Sequence, residues 1–245
     1  MDQRLVHEIE HGRFLRAGGA AEIWNWTSPA GKIRWQRRVK MLSGHLRPQM
    51  KVLELGCGTG FFTAEIAASG ASITAIDISP DLLQEAAENV KADNVTFLCE
   101  NAYAMSFPDA SFDSVIVSSV LHHLELEHAL SEIFRVLKDG GIACFTEPNM
   151  LNPQISLQKN IPWLKCRLGD SPDETAFFAW RIKRKLVEHG FTDIVVTPFD
   201  FLHPGIPARL IPLIKPLCDR AERIPLLRSI AGSLYIKCRK QGGGK

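Results

Sequence analysis

Val52-Leu53-Glu54-Leu55-Gly56-Cys57-Gly58-Thr59-Gly60 carries a short apolar run straight into three glycines at alternate positions. An apolar run of this length, bounded by glycine, predicts a buried strand over 51–55. Glycines at 56, 58 and 60 let the backbone turn sharply and bring its N–H groups close to a ligand. A second run rich in β-branched residues, 71–77, ends in Asp77, 21 residues beyond Gly56. An acid at that separation, on the neighbouring strand, is placed to bind ribose hydroxyls. Adjacent parallel strands would set both features at the carboxyl edge of a sheet, where open α/β sheets bind ligands. The spacing is G-x-G-x-G rather than the G-x-G-x-x-G of dinucleotide sites, whose third glycine falls here on Phe61. No Gly-Lys-Ser/Thr follows, which excludes a P-loop. Glu54, two residues before the glycines, suits a cationic ligand better than a phosphate.

The pattern outward from the loop alternates. Helical spacing covers 61–69. Ser79-Pro80-Asp81 supplies an N-cap, a first-turn proline and a first-turn acid for a helix running to about residue 91. Strands are predicted at 94–99, 112–118 and 142–147, with a helix at 125–137 ended by Asp139-Gly140-Gly141. Continuous apolar strands alternating with helices imply a doubly wound, mostly parallel α/β sheet. Beyond residue 147 the alternation stalls. Pro148, Pro153, Pro162 and Pro172 mark 148–173 as a loop or short-helix insertion. A helix at 174–189, stopped by Gly190, and a strand at 193–197 follow. A second insertion, 203–228, holds five prolines, and 233–239 reads as a last strand. The expectation is one domain, with 1–49 as a helical cover, 50–147 as the ligand-binding core and the two insertions on the substrate side. The closing Gly242-Gly243-Gly244-Lys245 reads as disordered.

Composition narrows the class. With 245 residues, 45% hydrophobic and 23% charged, the chain has the make-up of a globular domain. A net charge of +2 makes no case for nucleic acid. No apolar run reaches the length of a membrane span. Residues 1–10 are polar and acidic, unlike a signal peptide. The six cysteines lie far apart with no C-x-x-C pair, which argues against a zinc site and for reduced thiols, so no metal and a cytoplasmic location are expected.

The core resembles the class I S-adenosylmethionine-dependent methyltransferases, in the branch that includes the quinone-biosynthesis enzymes. Asn101-Ala102 stands where that family has Asp-Ala after its third strand. Phe107-Pro108-Asp109-Ala110-Ser111-Phe112-Asp113 resembles the family's lead into the fourth strand. Arg135-Val136-Leu137-Lys138-Asp139-Gly140-Gly141 resembles its R-V-L-K-P-G-G turn, with Asp139 in place of proline. The resemblance covers 50–147 and implies a Rossmann-like, seven-stranded sheet with an antiparallel last strand. It implies S-adenosyl-L-methionine as cofactor, bound by Glu54, Gly56, Cys57, Gly58, Gly60, Asp77, Ile78, Asn101, Ala102, Ser118 and His123. Within that set, the glycines line the amino-acid part, Asp77 holds the ribose and Ile78, Asn101 and Ala102 meet the adenine. Asp113 is read as a structural strand start.

Methyl transfer from a sulfonium is an in-line displacement with an activated leaving group, so alignment matters more than a fixed catalytic triad. A base is needed only where the acceptor loses a proton. His122, His123 and Glu147 stand at the ligand edge as candidate catalytic groups. Either histidine deprotonates or orients an acceptor, or the pair packs the following loop. Glu147 binds substrate or caps a helix. No Asn/Asp-Pro-Pro-Tyr/Phe and no Pro-Cys follow the fourth strand, which removes amide or adenine amino grip and cytosine C5 attack. The expected acceptor is a small molecule, apolar or lipid-like. The alternatives are RNA or protein methylation and a non-catalytic cofactor-binding module.

Both flanks are basic. Residues 31–51 hold seven Lys/Arg and no acid, with Trp35, Val39, Leu42 and Leu46 at helical spacing. This helix presents a solvated basic face, or one arginine reaches the cofactor carboxylate or an anionic substrate. Residues 203–245 hold nine Lys/Arg against Asp219 and Glu222, among many leucines and isoleucines. That segment is a helical cover, a lid over an apolar acceptor, or a contact with an anionic membrane surface through 203–240.

Overall fold

The computed structural model describes residues 3–19 and 25–242, so the tail at 243–245 lies outside them. Helix α1 (Gln3–Gly18) is followed by α2 (Pro29–Ser43), and then by β1 (Lys51–Leu55), α3 (Phe61–Ala67), β2 (Ser72–Asp77), α4 (Pro80–Asn89) and β3 (Val95–Cys99). The second half runs β4 (Phe112–Ser118), α5 (Leu126–Val136), β5 (Leu137–Pro148), α6 (Pro153–Asn160), α7 (Pro162–Arg167), α8 (Ala179–Glu188), β6 (Phe191–Phe199), α9 (Ile211–Ala221), α10 (Pro225–Arg228) and β7 (Ser233–Lys240). The seven strands form one sheet in the order β3-β2-β1-β4-β5-β7-β6. Strands β1 to β5 pair in parallel, and β7 pairs antiparallel with both β5 and β6. This is the Rossmann-like α/β sheet expected.

Strand residues alternate between two cores, as a period of two demands. Leu53, Leu55, Val115, Val117, Ala143 and Phe145 face one layer, packed with Leu130, Ile133 and Ile182 of α5 and α8. Val52, Ile73, Ala75, Ile116 and Cys144 face the other, against Trp35 and Leu42 of α2 and Phe62 and Ile66 of α3. The Ser79 hydroxyl accepts from Leu82 N–H at 3.4 Å, with Pro80 at the first helical position, so α4 starts as its sequence dictates.

Boundaries differ where local signals compete. The Asp139-Gly140-Gly141 segment does not end a helix. Helix α5 stops at Val136 and β5 begins at Leu137, carrying 138–141 as an irregularity between Phe112 and Ser114 of β4. Gly140 takes φ 73°, and a Cβ on Gly141 would meet Lys138 O at 2.8 Å, so the glycines serve a bulge. Asp113 fixes this edge, accepting from Lys51 N–H at 2.7 Å and from Lys138 Nζ at 2.6 Å. The helix predicted from 174 starts at Ala179, because Phe177 first bridges Asn149. Strand β6 reaches from Phe191 to Phe199, beyond the predicted 193–197. Among the described residues, no helix is long and apolar enough to cross a membrane.

Candidate active site

The three glycines turn the chain for three different reasons. All take positive φ (74°, 54° and 78° at Gly56, Gly58 and Gly60). A Cβ on Gly56 would strike the Val120 side chain at 2.5 Å, and one on Gly60 would sit 3.1 Å from Ala86 Cα of α4. At Gly58 nothing lies within 4 Å, so that position opens onto space where a ligand approaches the backbone. Gly56 N–H and Cys57 N–H donate to Ile76 O at 2.8 and 2.9 Å, tying the loop to β2. Asp77 braces it further, accepting from Gly58 N–H and Ser79 N–H, each at 2.9 Å. Burial raises the Asp77 pKa, and those backbone donors oppose the rise.

The loop forms one wall of a cavity of about 530 Å³, within the range of small-molecule sites. Glu54, Gly56, Cys57, Gly58, Asp77, Ile78, Ala102, Ser118, His122 and His123 line it. Three expected residues do not. Gly60 is spent on packing against α4. Asn101 turns its amide oxygen to Tyr103 N–H at 2.9 Å, and Glu100 and Ala102 line the cavity instead. Glu147 lies behind the wall, fully buried. It accepts from the N–H groups of Val120, Leu121 and His122 at 3.2, 3.0 and 3.3 Å, so it caps the turn after β4.

Glu54 is the most demanding group on the wall. It is 2% exposed, and its Oε2 has no hydrogen-bond partner. Burial, with the Asp77 charge adding, pushes its carboxyl up to about 8. An orphaned buried carboxylate oxygen calls for a donor, ideally a charged one. Across the cavity Arg38 of α2 is buried, its guanidinium donating to the Ser119 and Ser233 hydroxyls, the latter at 3.3 Å. Burial and the nearby Arg34 bring its pKa down to about 10. No carboxylate pairs with it among the described residues, so the basic helix sends one arginine inward while Arg34 and Arg37 pair with Asp200 and Glu222.

The histidine side of the cavity draws on three distant segments. His122 Nδ1 meets Glu147 at 2.6 Å and its Nε2 meets Glu174 at 3.2 Å. Burial would lower its pKa, but the two carboxylates outweigh that and raise it to about 9. Both ring nitrogens of His122 are thus taken up by carboxylates. Its neighbour differs, because His123 Nδ1 faces Glu8 of α1 at 3.0 Å. That contact occupies Nδ1 and fixes the orientation of the ring. Burial pushes Glu174 upward, yet His122, His123 and Lys159 hold it well below the usual carboxylate range. His122, His123 and Glu174 lie close enough to share an ion. Lys159 of α6 already neutralises Glu174, however, while also pairing with Asp170 at 2.8 Å.

Sequence reasoning missed Leu5, Glu8, His11 and Gly12, by which α1 walls the cavity, Gln154, Ile155, Gln158 and Lys159 from the first insertion, and Glu174 just past it. No motif marks them. From the second insertion only His203 and Pro204 reach the cavity, so the leucines of α9 and α10 do not form its roof.

Fold and loop together resemble those of the class I methyltransferases. Residues 53–145 match the family model described as a methyltransferase domain. Among curated relatives, the demethylmenaquinone methyltransferase of Tropheryma whipplei is 36% identical over 119 residues, 46% of this chain and 49% of the relative. The ubiquinone/menaquinone biosynthesis C-methyltransferase of Pasteurella multocida is 40% identical over 148 residues, 57% of this chain and 53% of the relative. The chain thus spans about half the length of the curated relatives it matches. A solved S-adenosylmethionine-dependent methyltransferase of Thermotoga maritima superposes with a TM-score of 0.68 at 16% identity, covering 94% of this chain and all of that one, 100%. The [4+2]-cyclase SpnF superposes with a TM-score of 0.61 at 22% identity, covering 86% and 82% of the two chains. These likenesses establish the fold. That a cyclase shares it leaves the reaction to be argued from the site.

Proposed function

We propose that this chain binds S-adenosyl-L-methionine in the cavity and transfers its methyl group to a small, apolar or lipid-like acceptor. The observation that carries the reading is Glu54, a buried carboxyl with an orphaned oxygen, beside the open backbone of Gly58 and the braced carboxylate of Asp77. These are complementary to an ammonium, a close-approaching chain and a ribose diol. Arg38 supplies a cation for the carboxylate of the same ligand. When bound, the cofactor supplies a methyl group activated on a sulfonium.

The chain's own residues then align the acceptor and exclude water. Glu147 and Glu174 hold His122 between them through both ring nitrogens, so it braces the wall beside the acceptor rather than donating to it. Glu8 sets the tautomer of His123, whose Nε2 takes a proton where the acceptor must lose one. A curated relative named for ubiquinone/menaquinone biosynthesis favours an apolar acceptor, and Trp26, Phe61, Leu124 and Ile155 give the cavity apolar surface to receive it. Titration calorimetry with S-adenosylhomocysteine and with NAD tests the cofactor. Tight NAD binding with no response to the homocysteine compound would overturn it. Transfer of labelled methyl from cofactor into a lipid extract tests the reaction, and the absence of any labelled product would leave a binding module.

A further inference from the structure

A helix that merely closes a core has one apolar face, and α9 has two. Ile211, Ile214 and Cys218 pack inward with Ala30, Ile33 and Leu202. On the outside, Leu213 is 68% exposed and Leu217 54%. The outward apolar surface continues past the helix through Ile224, Leu227 and Leu226, the last 82% exposed. Isolated exposed leucines need no explanation, but a run of them along one insertion marks an interaction surface. The charges left unpaired on the same segment are of one sign. Arg209, Arg220, Arg223 and Arg228 are exposed and have no acidic partner among the described residues. The two acids are already engaged, Asp219 with Lys215 at 2.6 Å and Glu222 with Arg37 of α2.

We propose that α9 and α10 dock on an anionic lipid bilayer, with the leucines in the acyl boundary and the arginines on lipid phosphates. The charge selects this occupant. A second copy of the chain would bring arginines against arginines, whereas an anionic bilayer supplies the missing countercharge over a broad, deformable surface. The placement serves the cavity. Asn152, the cap of α6, donates to Ile230 O at 2.9 Å, just past α10, and Gln154 meets His203 at 3.4 Å. Both insertions therefore meet at the cavity rim, and a bilayer on α9 and α10 lies next to the opening. That benefit rests on an apolar acceptor; the docking itself does not.

Vesicle cosedimentation tests it without cofactor or acceptor. The full chain is mixed with phosphatidylcholine vesicles, with and without phosphatidylglycerol, at low and high salt. Pelleting is expected with the anionic vesicles and should fall with salt. Replacing Leu213, Leu217 and Leu226 by serine should weaken partitioning by roughly tenfold or more. Arg220→Gln with Arg223→Gln and Arg228→Gln should remove the preference for phosphatidylglycerol, at roughly fivefold per arginine. Homocysteine-compound affinity and melting temperature should stay at parent values in both variants, since no substituted residue lines the cavity. Equal pelleting with both vesicle types, or serine-variant binding at the parent level, overturns the proposal. So does light scattering that shows a dimer which the serine variant dissociates. Normal pelleting with no cofactor binding would instead sink the methyl-transfer reading and leave the docking intact.

Discussion

Replacing Glu54 by glutamine probes the least comfortable group in the cavity. A carboxyl raised from its ordinary 4.5 to about 8 favours its protonated form by about 5 kcal/mol more than the same group in water, an order-of-magnitude figure for a buried group. Near neutrality the ligand-free protein therefore holds Glu54 as a neutral acid. An ammonium beside Oε2 favours the ionised form, so binding expels a proton. Below the ligand-free pKa, cofactor affinity should then rise about tenfold for each pH unit and level off above about 8. Glu54→Gln preserves shape and neutrality but cannot ionise. It should lose that slope and bind roughly 10- to 150-fold more weakly at pH 8, the value of a hydrogen bond to a charged group. Calorimetry with S-adenosylhomocysteine, in buffers of different ionisation enthalpy, reads both affinity and proton release. A parent affinity that is flat with pH, with no released proton, would refute the placement of an ammonium at Glu54.

Other substitutions separate the two halves of the cavity. Asp77→Ala should weaken cofactor binding by about 1.5 to 3 kcal/mol, while His123→Ala should leave it intact and reduce turnover on an acceptor that loses a proton; isothermal titration and a labelled-methyl assay distinguish them. Arg38→Met should lower cofactor affinity without lowering melting temperature, because it removes a buried cation that has no carboxylate partner. His122 carries a raised pKa, so its ion pairs contribute stability fully below its unfolded value of 6.5, and this is lost as pH rises toward about 9. Melting temperature should fall across that window in the parent and less steeply in His122→Asn. Gly60→Ala should destabilise the fold by about 1 to 3 kcal/mol, since φ is 78° and Ala86 blocks the Cβ; chemical denaturation reads it.

The glycine loop and Asp77 were legible in the sequence because their geometry is local: one turn, one adjacent strand and backbone angles that only glycine adopts cheaply. The mostly parallel, doubly wound sheet followed from the alternation of apolar runs with helices. What stayed hidden depends on distance. Glu8 and His123 are more than a hundred residues apart, and Glu174 reaches His122 only because the chain after β5 folds back across the sheet edge. Arg38 was one of seven similar cations, and only its burial distinguishes it. Asn101 was carried by position in a resembling motif, yet the side chain bonds its own turn. Glu147 was rightly placed at the edge, but its carboxylate points at backbone donors that no sequence pattern displays. The double apolar face of α9 was likewise invisible, because a count of leucines does not say which side they face.

The cavity is assembled from one continuous stretch and several borrowed ones. Everything proposed to hold the cofactor, apart from Arg38, falls between β1 and the turn after β4, the same span that matches the family model. Much of the remaining lining comes from α1, from the segment after β5 and from the connection leading to β7, and it joins His122, His123 and Leu124 around the proposed acceptor. Such a division lets one half be inherited unchanged while the other is exchanged or rebuilt, so a new acceptor requires no new way of holding the methyl donor.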